Sequence, residues 1–214
     1  MLAVRPGPAK FIWQHCATPR KNRASWRACL CYKRPMTGCF LTLFDTALGR
    51  CGLAWGEAGI VSVSFPEADD EATKASLRRR AKDAEEGAPP PDIQRVIGDI
   101  KALFNGEPRD LAYADLDLTG LPQFDREVIG LALAIKPGET KTYGDLAKAL
   151  GDVSYSRRVG QALGRNPFPI IAPCHRIVGA GGLMTGFSAP GGTDTKHRLL
   201  KIEGALAPDL FDAL

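Results

Sequence analysis

The first clear pattern in the chain is an alternation of apolar and polar residues between positions 39 and 65. It occupies three short runs, Cys39–Phe44, Leu48–Trp55 and Ile60–Phe65, and a turn at Glu57–Gly59 separates the last two. Alternation with a period of two, bounded by turn residues, is typical of half-buried strands. The pattern therefore predicts three short strands that form a small antiparallel sheet.

Helical periodicity replaces the alternation after this sheet. Pro66–Asp70 opens a charged helix that is predicted to end near Glu86, because the glycine and prolines of Gly87–Pro91 break helices. A second helix is predicted up to Asn105–Gly106. Its apolar residues recur at helical spacing and share one face: Ile93, Val96, Ile97, Ile100, Leu103 and Phe104. Residues 36–119 are thus expected to be a sheet covered by helices, a packing scaffold without chemistry of its own.

Residues 120–205 are predicted to be mainly helical. Gln123–Ile135 has apolar residues at helical spacing, and Thr142 can cap a helix that continues from Tyr143 to Leu150. A third helix is predicted to follow, which makes this half of the chain a helical domain. The remaining residues, 206–214, are interpreted as a tail.

The third helix begins near Ser154 or Ser156, either of which can cap it, and is predicted to end at Arg165. It follows the Tyr143–Leu150 helix after a short turn with a glycine, and two short helices joined in this way are typical of a helix-turn-helix. A plain helical hairpin would give the same pattern. The helix is rich in the basic residues that a DNA-facing helix needs: Arg157, Arg158 and Arg165.

Charge is unevenly distributed along the 214 residues, whose formal net charge is +4. Residues 1–35 carry eight Lys or Arg and no acidic residue, and residues 36–119 carry nine basic and fifteen acidic residues. Residues 120–205 carry eleven basic and seven acidic residues. Positive charge thus coincides with the predicted helix-turn-helix, as binding to nucleic-acid phosphates requires, although an ordinary solvated surface can carry a similar excess.

Residues 1–35 show neither a helical nor an alternating apolar period, so this basic extension is predicted to be disordered. Met36 directly precedes the first predicted strand, and a start codon assigned too far upstream is one interpretation of the extension. An organellar targeting peptide is another, because such peptides are rich in arginine and poor in acidic residues. A secretory signal is not expected, since the apolar core of about 7–15 residues that it needs is missing.

The six cysteines, at positions 16, 29, 31, 39, 51 and 174, have irregular spacing that does not indicate a disulfide framework. A reducing compartment is therefore expected. Four of the residues near the N-terminus could in principle bind zinc: His15, Cys16, Cys29 and Cys31. Their spacing matches no standard zinc site, so we expect no metal. No apolar run approaches the roughly 18 residues of a membrane span.

A cysteine and a histidine stand together in Pro173–Arg176, directly after the apolar run Phe168–Ala172. A cysteine thiol needs a base to become a nucleophile, and the base needs a third group to orient it. His175 and Glu203 can supply these two roles. If Cys174 and His175 have extended backbone, their side chains point to opposite faces, and a bridging water is expected between sulfur and imidazole. The alternative is that Cys174 is only a small buried apolar residue.

Several motifs around this pair have the spacing of a known family: Pro122–Phe124, Ile135–Ala147, Ser156–Ala162, Asn166–Pro167, Pro173–Val178, Gly186–Ser188 and Lys196–Gly204. Together they resemble the O6-alkylguanine-DNA alkyltransferases, suicide proteins that repair alkylated DNA. The resemblance is specific over residues 120–205 and loose over residues 36–119. It implies an α+β protein with a ribonuclease H-like N-terminal half, built as a small antiparallel sheet with helices. The C-terminal half would be helical, with a helix-turn-helix and an active-site loop.

The same resemblance implies a function. An alkyl group on guanine O6 in double-stranded DNA would pass to Cys174, once per protein molecule, and O4-alkylthymine is an open second substrate. The reaction would need neither a cofactor nor a metal. A protein of this kind is expected to act as a monomer on nucleoid DNA in the cytoplasm.

The resemblance also implies roles for individual residues. Arg157 would fill the gap that a flipped nucleotide leaves in the duplex, with Arg158 as the adjacent alternative. Tyr143 would hydrogen-bond the flipped guanine and protonate it as it leaves. Asn166 would tie the turn between the recognition helix and the active-site strand, and Ser188 would approach guanine O6.

Two residues depart from the usual pattern of the family, since Ala172 replaces a larger aliphatic residue and Phe187 stands where many members have tyrosine. Both changes put the range of substrates in doubt.

Two other functions stay open. One is a non-catalytic lesion-binding or regulatory protein, against which Cys174 argues because the related non-enzymatic proteins have tryptophan there. The other is a Cys-His hydrolase of acyl substrates, against which the arginines of the helix-turn-helix argue.

Overall fold

The computed structural model of the chain describes residues 38–187 and 191–206. The predictions for the basic extension 1–35, for Ser188 and for nearly all of the tail concern residues outside these ranges. Within them, no helix is long and apolar enough to cross a membrane.

Strands β1 (Phe40–Thr46), β2 (Gly49–Gly56) and β3 (Gly59–Ser64) form an antiparallel meander, as the alternation predicted. A fourth strand, β4 (Glu85–Glu86), adds to the edge of β1 and runs parallel to it. The order is β3-β2-β1-β4, so the sheet is mixed, and the prediction of a purely antiparallel sheet was wrong in this detail.

Helix α1 (Asp70–Arg78) is shorter than predicted. Asp69 caps its start by accepting a hydrogen bond from the Ala72 amide at 2.7 Å. The predicted continuation to Glu86 was wrong, because the chain turns after α1, with Asp83 at φ 57°, and its next residues pair with β1. Backbone pairing in the sheet thus prevails over the helical preference of this charged segment.

Helix α2 (Pro91–Phe104) agrees with its prediction, and its apolar face is buried against the sheet. The largest core cluster joins this face to β1–β3 and also contains residues of the later segment, namely Phe168, Ile170, Ile171, Ala172 and Leu199. The apolar run before Cys174 is therefore embedded in the core that the sheet provides.

The later part of the chain is mainly helical, with α3 (Gln123–Leu133), α4 (Tyr143–Ala149), α5 (Ser156–Gly164) and α6 (Gly192–Ile202). Thr142 caps α4 as predicted and forms a reciprocal capping box with Asp145.

The predicted cap of α5 was wrong. Asp152 instead caps a short 3-10 turn, Val153–Tyr155, which leads directly into α5. Ser156 is the first residue of α5, and its hydroxyl donates back to the Val153 carbonyl at 2.6 Å.

Two very short strands, β5 (Lys141–Thr142) and β6 (Ile177–Val178), pair in parallel, and the sequence pattern did not predict them. The residue after β5 is Tyr143, and the turn before β6 contains Cys174. This pairing therefore brings the start of α4 next to the cysteine and histidine.

Candidate active site and nucleic-acid interface

Cys174 begins a single 3-10 turn, Cys174–Arg176, so the extended backbone assumed from the sequence is not present at this point. Its side chain is half-buried and lines a cleft of about 920 Å³ together with Asn166 and Phe187. A thiol in this position can be reached from the cleft. The interpretation of Cys174 as a merely buried apolar residue does not fit this exposure.

His175 and Glu203 form a buried pair, with Nε2 3.0 Å from Oε1. Burial opposes ionisation of Glu203, but hydrogen bonds from Arg176 and His175 outweigh it and lower its pKa. Burial lowers the pKa of His175, although the hydrogen bond and charge of Glu203 act in the opposite direction. Since a carboxylate only accepts, Nε2 must carry the proton, and Nδ1 is left as an acceptor.

Arg176 is a member of this site to which the sequence analysis gave no role. Its Nε and Nη2 donate to the two oxygens of Glu203 at 2.7 and 2.8 Å, and its Nη1 donates to the Ile135 carbonyl at 2.6 Å. The sequence did contain a signal for this role, since Arg176 is a basic residue inside an apolar segment. A basic residue that is buried with such a segment needs a partner for its charge.

Lys196 is a second buried cation that the sequence analysis did not identify. Its side chain is completely buried, and Nζ donates to the carbonyls of Ile177 at 2.5 Å and Thr185 at 2.9 Å. Burial lowers its pKa, against an opposing interaction with Cys174. The lysine thereby ties the two ends of the segment between β6 and Phe187.

The pKa of Cys174 is raised by burial, and the Asn166 side chain and the charge of Lys196 act in the opposite direction. A protonated thiol is a poor nucleophile, so the site must remove this proton before the sulfur can attack. The acceptor nitrogen of the adjacent His175 is the suitable base.

Asn166 holds the turn that carries the nucleophile. Its Nδ2 donates to the Ala172 carbonyl at 2.9 Å, and its Oδ1 accepts from the Phe168 amide at 3.0 Å. Ile170, inside this turn, has φ 77°, a left-handed conformation that is unusual for a β-branched residue. Strain of this kind is kept only where surrounding contacts enforce it, and it often occurs at functional sites.

Tyr143 is the first residue of α4 and packs against the same apolar cluster as Cys174. Its hydroxyl donates to the carbonyls of Thr185 at 3.3 Å and Gly186 at 3.2 Å. Burial raises its pKa, and so does Cys174. Together with Arg157, Tyr143 lines a second pocket of about 640 Å³ that shares Gly186 and Phe187 with the larger cleft.

The two candidate arginines of α5 have different surroundings. Arg157 is exposed at the rim of the second pocket, whereas the Arg158 guanidinium lies over the ring of Phe124, 3.7 Å from its centroid. Arg165 pairs with Asp125 of α3.

Of the residues predicted for the site, the structure brings together Cys174, His175, Glu203, Asn166 and Tyr143, while Ser188 is outside the described residues. Residues 38–187 and 191–206 contain no group of three or more His, Cys, Asp or Glu side chains that could hold a metal ion.

Comparison with known proteins gives consistent matches. Residues 123–205 match a family model described as 6-O-methylguanine DNA methyltransferase, DNA binding domain. A methylated-DNA–protein-cysteine methyltransferase of Methanosarcina acetivorans is 34% identical over 167 residues, which are 78% of this chain and 99% of that protein. The protein of the same name from Mycobacterium bovis is 40% identical over 120 residues, which cover 55% of this chain and 70% of that protein. The solved structure of Mycobacterium tuberculosis OGT in complex with DNA has a TM-score of 0.62 at 30% identity and covers 79% of this chain and 95% of that one.

Proposed function

The chain belongs to the 6-O-methylguanine DNA methyltransferase family, and we propose that it repairs DNA by transferring the alkyl group of O6-alkylguanine to its own Cys174. One observation carries this proposal. The thiol of Cys174 is reached from a cleft, while the His175–Glu203 pair beside it is fully buried. A nucleophile that faces substrate and a base that is held by a buried carboxylate are the parts that nucleophilic transfer needs.

The transfer is a single displacement. His175 takes the proton of the Cys174 thiol, and the sulfur forms a bond to the alkyl carbon as the bond from that carbon to guanine O6 breaks. The electron pair of the broken bond goes to the base, which accepts a proton from Tyr143. His175 returns a proton to the tyrosine through solvent, so the products are a thioether and an unmodified guanine. The thioether is stable, and each molecule therefore reacts once.

Tyr143 must move before it can act in this way. In the free protein its hydroxyl is bonded to the carbonyls of Thr185 and Gly186. A guanine base in the pocket offers a better acceptor, since charge develops on the base as it leaves. Ser188 follows this segment closely and is proposed to approach guanine O6.

DNA binding is assigned to α4 and α5, which we propose form a helix-turn-helix. The target guanine must leave the base stack to reach Cys174, at a cost of a few kcal/mol. Arg157 is proposed to enter the vacated space, because it is exposed beside the pocket that also contains Tyr143. Asn166 supports the turn between α5 and the nucleophile. The excess of basic residues in this half of the chain favours contact with phosphates.

The other parts of the chain receive supporting roles. Residues 36–119 are proposed to be a ribonuclease H-like scaffold, which the three-stranded meander with its added parallel strand supports. The basic residues 1–35 are proposed to strengthen non-specific binding to DNA. We propose that the protein acts as a monomer in the cytoplasm, without a cofactor, and that residues 120–205 carry the chemistry.

Mass spectrometry of the intact protein tests the proposal. After incubation with an excess of duplex DNA that contains O6-methylguanine, the protein should gain one methyl group, about 14 Da, on the peptide with Cys174. Cys174→Ala should remain unmodified and still bind the duplex. Binding without any gain in mass would support a non-catalytic lesion-binding protein instead. Repeated turnover of a thiol-sensitive ester would support a hydrolase, and methylation spread over several cysteines would contradict the assigned site.

A further inference from the structure

The first turn of α3 contacts both ends of α5. Phe124 and Asp125 are consecutive residues in that turn. Phe124 lies under the guanidinium group of Arg158, and Asp125 accepts two hydrogen bonds from Arg165. Arg158 is in the first turn of α5, and Arg165 is the residue that ends it. Two neighbouring side chains of α3 therefore hold the start and the end of the same helix.

The contact at the start of α5 is a cation–π interaction within an aromatic cluster. The Arg158 Cζ atom is 3.7 Å from the centroid of the Phe124 ring and 5.9 Å from that of Tyr155, the residue that precedes α5. The two rings meet edge to face, with centroids 5.9 Å apart and planes at 85°. A guanidinium group is planar and stacks well on such a surface. Both arginines are exposed, but the Arg158 guanidinium is directed towards α3, whereas Arg157 lines the pocket.

The contact at the end of α5 is a charged pair with two parallel hydrogen bonds. Arg165 Nε is 3.1 Å from Asp125 Oδ2, and Nη2 is 3.0 Å from Oδ1. The Asp125 side chain is only 5% exposed, whereas that of Arg165 is 57% exposed. Two-point pairing fixes orientation as well as distance. The next residue along the chain is Asn166, which holds the turn of Cys174.

We propose that Phe124 and Asp125 form a clamp on α5, in which Arg158 and Arg165 are positioning residues. The Phe124–Arg158 contact directs Arg157 into the duplex, and the Asp125–Arg165 contact supports the turn that begins at Asn166. The inference rests on the proposed function, because it assumes that Arg157 acts in base flipping. It assigns the Arg158 guanidinium to α3 and not to a phosphate of the DNA.

The two ends of the clamp should affect different substrates. A free base such as O6-benzylguanine needs the Cys174 turn but has no stack to leave, whereas a duplex needs both. Arg158→Ala should therefore slow transfer from saturating duplex about fivefold, which is the fold-change that corresponds to the loss of one exposed cation–π contact. The rate of transfer from the free base should be unchanged. Asp125→Asn should slow transfer from both substrates, because it loosens the turn of the nucleophile.

The decisive experiment measures single-turnover rates for wild type, Arg158→Ala, Phe124→Leu and the double variant. Phe124→Leu removes the ring but leaves Arg158 free to bind DNA, so the clamp predicts equal losses on duplex for the two single variants and no further loss in the double variant. Phe124→Tyr keeps the ring face and should react like wild type. Arg126→Ala, which removes an exposed arginine from the same turn of α3, serves as the control for loss of charge.

The salt dependence of duplex binding separates the clamp from a phosphate contact. Loss of one phosphate contact lowers the slope of log affinity against log salt by about 1. The clamp predicts an unchanged slope for Arg158→Ala. A lower slope, together with a normal rate for Phe124→Leu, would overturn the inference, and so would additive losses in the double variant. If wild type itself transfers no alkyl group from either substrate, the proposed function fails and not the clamp.

Discussion

Arg176 holds the carboxylate of Glu203 with two hydrogen bonds, from Nε to Oε2 at 2.7 Å and from Nη2 to Oε1 at 2.8 Å. The same Oε1 is 3.0 Å from Nε2 of His175, so the arginine fixes the carboxylate that orients the imidazole. All three side chains are almost completely buried. The arginine therefore belongs to the proposed catalytic arrangement, because its hydrogen bonds help to keep Glu203 ionised and leave the carboxylate as the acceptor of a hydrogen bond from Nε2.

Glu203→Gln should reduce both stability and transfer. The amide removes the charge that balances Arg176, and an unpaired buried charge costs about 3–5 kcal/mol of unfolding free energy. It also weakens the orientation of His175, so free O6-benzylguanine should react more slowly even where the variant is fully folded. Urea denaturation and single-turnover kinetics measure the two effects. Unchanged stability would contradict the assigned role of the carboxylate in the buried pair.

The same residue should contribute to acid sensitivity. The folded protein lowers the pKa of Glu203 below its ordinary value of 4.5, so the unfolded chain takes up a proton at a higher pH than the folded one. The stability that the ionised carboxylate contributes is present above that ordinary value and is lost as the pH falls through the lowered one. Between about pH 5 and pH 3, wild type should therefore lose unfolding free energy more steeply than Glu203→Gln. Equal slopes of unfolding free energy against pH in the two proteins would show that Glu203 does not contribute to acid sensitivity.

Lys196→Met should slow transfer from free base and duplex alike. Methionine has a similar shape but cannot donate to the carbonyls of Ile177 and Thr185, which the buried ammonium now joins. Leaving such acceptors unsatisfied costs about 1–3 kcal/mol. The loosened segment includes Gly186 and Phe187, which line the pocket. Equal fold-losses on the two substrates are expected, and a loss confined to duplex DNA would instead indicate that Lys196 acts on DNA binding.

Local patterns in the sequence predicted most of the elements, because strands β1–β3 and helices α2 and α3 have clear apolar periods and α4 has a capping residue at its start. They failed where distant pairing decides the structure. Strands β5 and β6 have two residues each, too few to show any alternation, and β4 exists only because it pairs with β1. Adjacency and chemistry predicted the cysteine, histidine and glutamate of the site.

The buried cations could not be predicted in the same way. Lysine and arginine are mostly exposed, so Lys196 has the pattern of a surface residue. Arg176 stands inside an apolar segment, but this position does not identify its partner. Their partners lie far along the chain, at Glu203 for the arginine and at Ile177 for the lysine. Only the folded chain shows that these charges are enclosed and paired.

Arg80→Ala should destabilise the fold much more than Arg79→Ala. Arg80 donates hydrogen bonds of 2.9–3.0 Å to the carbonyls of three residues on two segments, Val61, Asp117 and Thr119. Its guanidinium also lies 5.7 Å from the centroid of the Phe168 ring. Loss of these charged hydrogen bonds should cost about 2–4 kcal/mol in urea denaturation. Arg79 is exposed and bonded to Ser76, so its removal should cost less than about 0.5 kcal/mol. Similar losses for both variants would contradict the bridging role of Arg80.

Gly186→Ala should impair transfer, and Gly181→Ala provides a matched control. Both glycines have a positive φ, 65° and 68°, so alanine carries a similar backbone penalty of about 1 kcal/mol at each position. A Cβ atom at position 186 would lie 2.6 Å from the Tyr143 hydroxyl, whereas at position 181 it would meet nothing within 4 Å.

The Gly186→Ala variant must therefore displace either the tyrosine or the segment that lines the pocket. We expect a loss of at least about tenfold in its single-turnover rate on O6-benzylguanine. The Gly181→Ala variant should lose stability to a similar small extent and keep a rate close to wild type. If both variants react at the same rate, contact between Tyr143 and this segment has no bearing on transfer, and the proposed movement of the tyrosine is wrong.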